Sequence, residues 1–200
     1  MTRTFSILGA ALLVLALASG CDDDSSRTML LEDRVLGDPN APVTIVEYAS
    51  LTCSHCAGFH KDTLPMLKKE WLDTGRAKLV YRDYPLDKNS ATAAVIARCA
   101  PEEHYFRLLG AMFKRQNGWA QMDDPVDVLT RIAQFTGMSR GDIDACLADD
   151  KLVDGVLQMR LIGQEENGID STPSFVIEGR LMRGALGFRD FDAVLRSKSR

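Results

Sequence analysis

The sequence predicts an α/β fold, a mixed sheet interrupted by a helical insertion, and three observations carry that prediction. A β-branched run, Val43-Thr44-Ile45-Val46-Glu47-Tyr48, is followed closely by apolar positions at helical spacing. A second strand stops at Pro85, and from there to Asn167 helix starts and stops alternate with no strand between them. The chain then returns to strand as a hairpin over 174–184. Two hundred residues allow one domain, or one domain carrying a large insertion. Internal repeats and low-complexity tracts are absent from the sequence. The net charge is −4; without the first twenty residues, which hold only Arg3, 23 basic side chains stand against 28 acidic ones for −5. A mildly acidic chain has no electrostatic footprint for nucleic acid, which is excluded as a partner.

The N-terminus is read as an export signal. Arg3 precedes an uncharged run from Phe5 to Leu17, and Ala18-Ser19-Gly20-Cys21 follows. A basic front, an apolar middle and small residues behind predict a signal peptide over 1–20. The run is short for a membrane-spanning helix, which needs about 20 apolar residues. Small residues before Cys21 resemble the lipobox of bacterial lipoproteins, in which that cysteine becomes the acylated first residue. Ala16-Leu17-Ala18 alternatively offers an A-x-A site to an ordinary signal peptidase. Of the five cysteines Cys21, Cys53, Cys56, Cys99 and Cys146, acylation of the first leaves four that can form two pairs. Such pairs persist in oxidising compartments. Residues 21–29 then form a lipid-anchored tether.

From residue 30 the elements follow in order. Met29 to Leu36 is a short apolar stretch that supplies an edge strand, and Gly37-Asp38-Pro39-Asn40-Ala41-Pro42 is dense in turn residues. Val43 to Tyr48 is a buried strand with Glu47 as its one ionisable residue. From Cys56 to about Asp73, Phe59, Leu64, Leu67 and Trp71 mark a helix that Pro65 should kink and Gly75 closes. Lys78 to Tyr84 is the next strand. Ser90 caps a helix through Cys99, and Pro101 at a first helical position opens another over 102–116. Further helices are expected over 125–135, from a Ser139/Asp142 capping box through Cys146, and over 150–167 with Gly168 as cap. A hairpin with its turn at Gly179-Arg180 and a helix from Phe188 to about Ser197 complete the chain.

Cys53-Ser54-His55-Cys56 lies where a strand-end loop becomes a helix. Backbone N–H groups at the helix start, the helix dipole and His55 should each lower the pKa of Cys53 below the free value of about 8.5. Cys56, one turn in, is shielded and resolves a mixed disulfide formed at Cys53. A zinc half-site is the competing reading, but zinc wants four ligands and no second C-x-x-C exists. A purely structural C-x-x-C disulfide is the other. Ser171-Thr172-Pro173 could simply end the last helix of the insertion; paired with C-x-x-C, it predicts a loop with a cis Thr172–Pro173 bond.

Together, Pro42 through Cys56, the strand ending in Tyr84-Pro85-Leu86, and Gly168 to Ile177 resemble the DsbA-like family of thiol–disulfide oxidoreductases. The resemblance covers about residues 30–198. It implies an α/β, thioredoxin-like fold with an inserted helical subdomain near 88–165. It also implies dithiol–disulfide exchange with Cys53 as nucleophile and Cys56 as resolving cysteine. His55 matches the histidine that stabilises the thiolate. Pro173 matches the cis-proline facing the active disulfide, where Thr172 and Pro173 offer backbone groups to an extended substrate. Glu47, six residues before Cys53, matches a buried acid that relays protons to the resolving thiol; burial in a strand would suit a proton-carrying carboxyl, and a strand-end residue facing solvent is the alternative. Two departures concern direction: Ser54 stands where strong oxidants often have proline, and Thr172 is more typical of isomerases and reductases.

Cys99 and Cys146 read as a structural disulfide within the insertion, with two buried free thiols as the alternative. His60 and His104 read as surface residues, and Trp71, Trp119 and the methionines as core or groove filling. The expected activity needs no metal and no organic cofactor. Its substrates would be unfolded or reduced exported proteins in the periplasm, and a membrane protein would reset the Cys53–Cys56 pair. Membrane contact would be through the lipid at Cys21 only. Residues 22–42 leave no room for a dimerising stem, which favours a monomeric oxidase over an isomerase or reductase. A non-catalytic binding or metal-handling protein is the third reading.

Overall fold

The computed structural model describes residues 31–198. The expected signal peptide, Cys21, the tether and the first two residues of the expected edge strand lie outside the described residues. Strands β1 (Arg34–Leu36), β2 (Val43–Ala49), β3 (Ala77–Asp83), β4 (Ser174–Ile177) and β5 (Arg180–Arg183) form one sheet in the order β1-β3-β2-β4-β5. Strands β2 and β3 are parallel and the other pairs antiparallel. A parallel pair needs a crossover. Helical turns over 54–72, here α1, supply it: α-turns at Ser54–Gly58 and Leu64–Leu67, with π-helical turns at Phe59–Thr63 and Lys68–Leu72. The expected kink at Pro65 is met by this widening. Its ring would collide with the Lys61 carbonyl in a regular α-helix, and the π turn opens the chain directly before it.

Between β3 and β4 run α2 (Lys88–Cys99), α3 (Glu102–Lys114), α4 (Val126–Ala133), α5 (Arg140–Leu147) and α6 (Asp150–Asn167); α7 (Phe188–Lys198) ends the fold. Two local readings are corrected. The N-cap of α2 is Asp87, with Ser90 as the other half of a capping box, so the acidic side chain takes the cap one turn earlier. The hairpin turn is Glu178-Gly179, not Gly179-Arg180. Both turn residues have positive φ, 46° and 78°, as a two-residue hairpin turn requires. The Glu178 carboxylate accepts from the Thr44 N–H at 3.0 Å, which anchors the turn against β2.

Position along β2 divides the core, since Val43, Ile45 and Ala49 share one face of the strand. Val43 and Ile45 face α1 and α7 in a cluster with Phe59, Leu67, Trp71, Phe175 and Phe191. The insertion packs its own cluster around Tyr105, Leu108, Met112, Trp119, Leu129 and Ile132, which also takes in Ala49, Leu51, Cys56 and Tyr81. Where the two clusters meet, β2 ends and α1 begins. That seam holds the site. The buried Arg98–Asp83 ion pair ties α2 to the end of β3, and a Cys99–Cys146 disulfide joins α2 to α5.

Candidate active site

Cys53 is the N-cap residue of α1, with φ −77° and ψ 119°. Its N–H donates to the Ser50 carbonyl at 3.1 Å, closing the loop after β2. The buried Gln116 amide donates from the insertion to the carbonyls of Leu51 (2.8 Å) and Cys53 (3.0 Å). Gln116 was not picked out in the sequence beyond its place at a helix end; it fixes the loop that carries Cys53.

The cis Thr172–Pro173 bond lies opposite. In the dithiol form the Cys53 thiol donates to the Thr172 carbonyl, Sγ to O 3.4 Å. The Thr172 hydroxyl is buried with no partner in that form, so it is free to turn onto a thiolate. Gly184 N–H donates to the Pro173 carbonyl at 2.8 Å and the Ser174 hydroxyl to the Ser171 carbonyl at 2.8 Å, bracing the loop from both sides.

These surroundings set the two thiols far apart. The Cys53 pKa is lowered from 9.0 to about 5, chiefly by the Cys56 thiol. Burial opposes the shift, and the Thr172 side chain and the backbone N–H groups of Cys56 and His55 add to it. Cys56 is fully buried. Burial pushes its thiol well above the ordinary range, and the neighbouring Cys53 and Glu47 push it further. One cysteine is thus an accessible thiolate and the other a protonated thiol beneath it, the division of labour disulfide exchange requires.

His55 is exposed, and its backbone N–H acts on Cys53. Glu47 is wholly buried on β2, in register with Tyr81 of β3 and Phe175 of β4. Its Oε1 lies 3.0 Å from His60 Nε2, and its Oε2 is buried without a partner. The surface reading of His60 is therefore corrected. Its side chain is 6% exposed, and its ring stacks on Phe113 with centroids 4.2 Å apart. The cause is tertiary: α3 covers the face of α1 on which His60 stands. His104 is half-buried beside Phe135, and Trp71 and Trp119 are core.

A family model described as Thioredoxin matches residues 30–197. A relative from Rickettsia typhi, named "Putative protein-disulfide oxidoreductase", is 32% identical over 148 residues, 74% of this chain and 55% of its own length. The chain thus spans about half the length of the curated relatives it matches. Among solved structures, Wolbachia pipientis alpha-DsbA1 aligns at a TM-score of 0.78 and 29% identity, covering 86% of this chain and 94% of that one. Oxidised BdbD of Bacillus subtilis shares the fold at a TM-score of 0.76 and 20% identity, covering 84% and 92%. With the Cys53–Cys56 pair at the start of α1, the cis-proline loop opposite it and a helical insertion between β3 and β4, the chain belongs to the DsbA-like branch of the thioredoxin superfamily.

Proposed function

We propose that this chain is a thiol–disulfide oxidoreductase that forms disulfide bonds in exported proteins by exchange at Cys53 and Cys56. The observation that carries the reading is the divergence of the two thiols, with Cys53 pulled down to about 5 and Cys56 held protonated. In the oxidising direction a substrate thiolate attacks Cys53 Sγ of the disulfide form. The electron pair of the broken bond goes to Cys56 Sγ, which takes up a proton. A second substrate thiolate then attacks the substrate sulfur of the mixed disulfide, releasing Cys53 as a stable thiolate. Because the reduced form gains from that thiolate, the disulfide is the better oxidant. The Thr172–Pro173 loop facing Cys53, with Thr172 half-buried and Pro173 buried, supports binding of an extended, unfolded segment through backbone groups.

Trapping tests this reading. Cys56→Ser should accumulate mixed disulfides with reduced, unfolded proteins, whereas Cys53→Ser should form almost none. Equal trapping by both variants, or none by either, would end the proposal.

The same reading places the protein in the periplasm as a monomer, hung by a lipid on Cys21 and reset by a membrane redox protein. Among the described residues no helix is long and apolar enough to cross a membrane. The mature protein should partition into detergent, and Cys21→Ser should release it or block processing. A mature N-terminus found unmodified at Ser19 would remove the anchor. Ser54 and Thr172 favour a second reading, an isomerase or reductase held in the dithiol form, which differs from the first in its potential.

A further inference from the structure

Glu47 and Cys56 are both wholly buried, yet each turnover must bring a proton to Cys56 Sγ or take one away. Glu47 is placed to hold that proton: it lies within electrostatic reach of Cys56, and its Oε2 is buried without a partner. A carboxyl left half-satisfied is costly unless a proton or a donor occupies it. Neither group meets water directly. His60 stands between them and solvent. It binds Glu47 Oε1 at 3.0 Å and borders a groove of about 720 Å³ between α1 and the insertion, with Lys61, Asp62 and Lys114 among the other lining residues. An imidazole can take a proton on one nitrogen and release one from the other.

We propose that His60 is a positioning residue for the Cys56 step, holding the Glu47 carboxyl in place and passing its proton to and from the groove. This rests on the disulfide-exchange reading above. When substrate thiolate opens the disulfide, the electron pair lands on Cys56 Sγ. The Glu47 proton moves to that sulfur, and His60 replaces it from groove water. In reverse, Cys56 gives its proton to Glu47 as its sulfur attacks Cys53 Sγ and expels the substrate thiolate, and the proton leaves through His60. The titratable groups around the pair are Cys53 and Cys56 on α1, Tyr81 on β3 and Tyr105 on α3, with Lys61, Asp62 and Lys114 at the groove. Burial holds both tyrosines well above their ordinary value, so neither exchanges protons near neutral pH.

The two chemical steps can be read separately. Reduced protein mixed with dithiobis(nitrobenzoate) releases one coloured thiolate when Cys53 attacks and a second when Cys56 resolves the mixed disulfide. His60→Gln keeps an amide donor for Glu47 but carries no proton. It should leave the first phase unchanged and slow the second by about tenfold or more, within the range that proton transfer contributes. The pH profile of the second phase should flatten, and added imidazole should restore its rate. A second phase equal to wild type across pH would overturn the proposal. So would a slowed phase that imidazole does not restore, because His60 would then only fill space against Phe113. If wild type itself lacks a second phase, or Cys53→Ser gives the same first phase, the disulfide-exchange reading fails and takes this inference with it.

Discussion

A thiolate at Cys53 collects the Cys56 thiol, the Thr172 side chain and the backbone N–H groups of Cys56 and His55, against the cost of half-burial. Titrating the thiolate absorbance of the reduced protein should therefore give a midpoint near 5 that disappears in Cys53→Ser; a midpoint near 9 would contradict this. The same shift makes stability depend on pH. With the thiol lowered from 9.0 to about 5, the unfolded chain keeps a proton that the folded chain has lost throughout that window. The reduced protein should gain stability relative to the oxidised one as pH rises from about 5 to 9, and lose that gain as pH falls through 5. Denaturant titrations of both forms check it, and a constant difference across that window would refute it. Cys53, Cys56 and Pro173 were legible because C-x-x-C and Thr-Pro are local patterns, and Glu47 because it is an ionisable residue in an apolar strand. His60 and Gln116 were not, because their partners are remote. Glu47 is 13 residues from His60, and the Leu51 and Cys53 carbonyls are 65 and 63 residues from Gln116.

Among the elements, α6 sets the cis-proline loop by how closely it packs on β2. A Cβ at Gly163 would lie 2.8 Å from Tyr48 Cε1. Tyr48 has little freedom to retreat, since its hydroxyl accepts from Arg82 Nη1 at 2.9 Å and Asn167 Nδ2 at 3.1 Å. The Gly163 carbonyl also accepts from the Ile169 N–H at 3.0 Å, where the chain turns toward Thr172. Gly163→Val should therefore overpack this contact and cost about 1–3 kcal/mol. Urea unfolding reads it, and an unchanged midpoint would show that helix and strand can part without cost. The helix itself was legible from Gly168 as its cap, whereas the role of Gly163 was hidden, because an interior helical glycine has no local signature. The Asp87 cap and the Glu178-Gly179 turn were misplaced by one to three positions for a related reason. Ser90 and Gly179 are strong local signals, but the register of the elements around them decided which neighbour served.

Taken whole, the molecule sets the Cys53–Cys56 pair between two parts with different duties. The sheet with α1 supplies the cysteines, Glu47 and the cis-proline loop. The insertion, tied internally by Cys99–Cys146, covers the seam with Phe113 and Gln116 and leaves a groove beside His60. That division was readable from the order of strands and helices; how the insertion touches the site was not, because side chains from remote helices meet there only after folding. The direction of catalysis belongs to this scale as well, because it depends on the free-energy difference between the oxidised and reduced molecule. Stabilisation of the reduced form by the Cys53 thiolate favours the oxidase, whereas Ser54 and Thr172 lean toward the isomerase or reductase. Equilibrating the purified mature domain against glutathione measures that difference most directly. An oxidase predicts a potential above the isomerase value of about −180 mV, toward the strong-oxidant value of about −120 mV; a potential at the isomerase value or falling toward the thioredoxin value of about −270 mV would contradict it and leave the isomerase or reductase reading in its place.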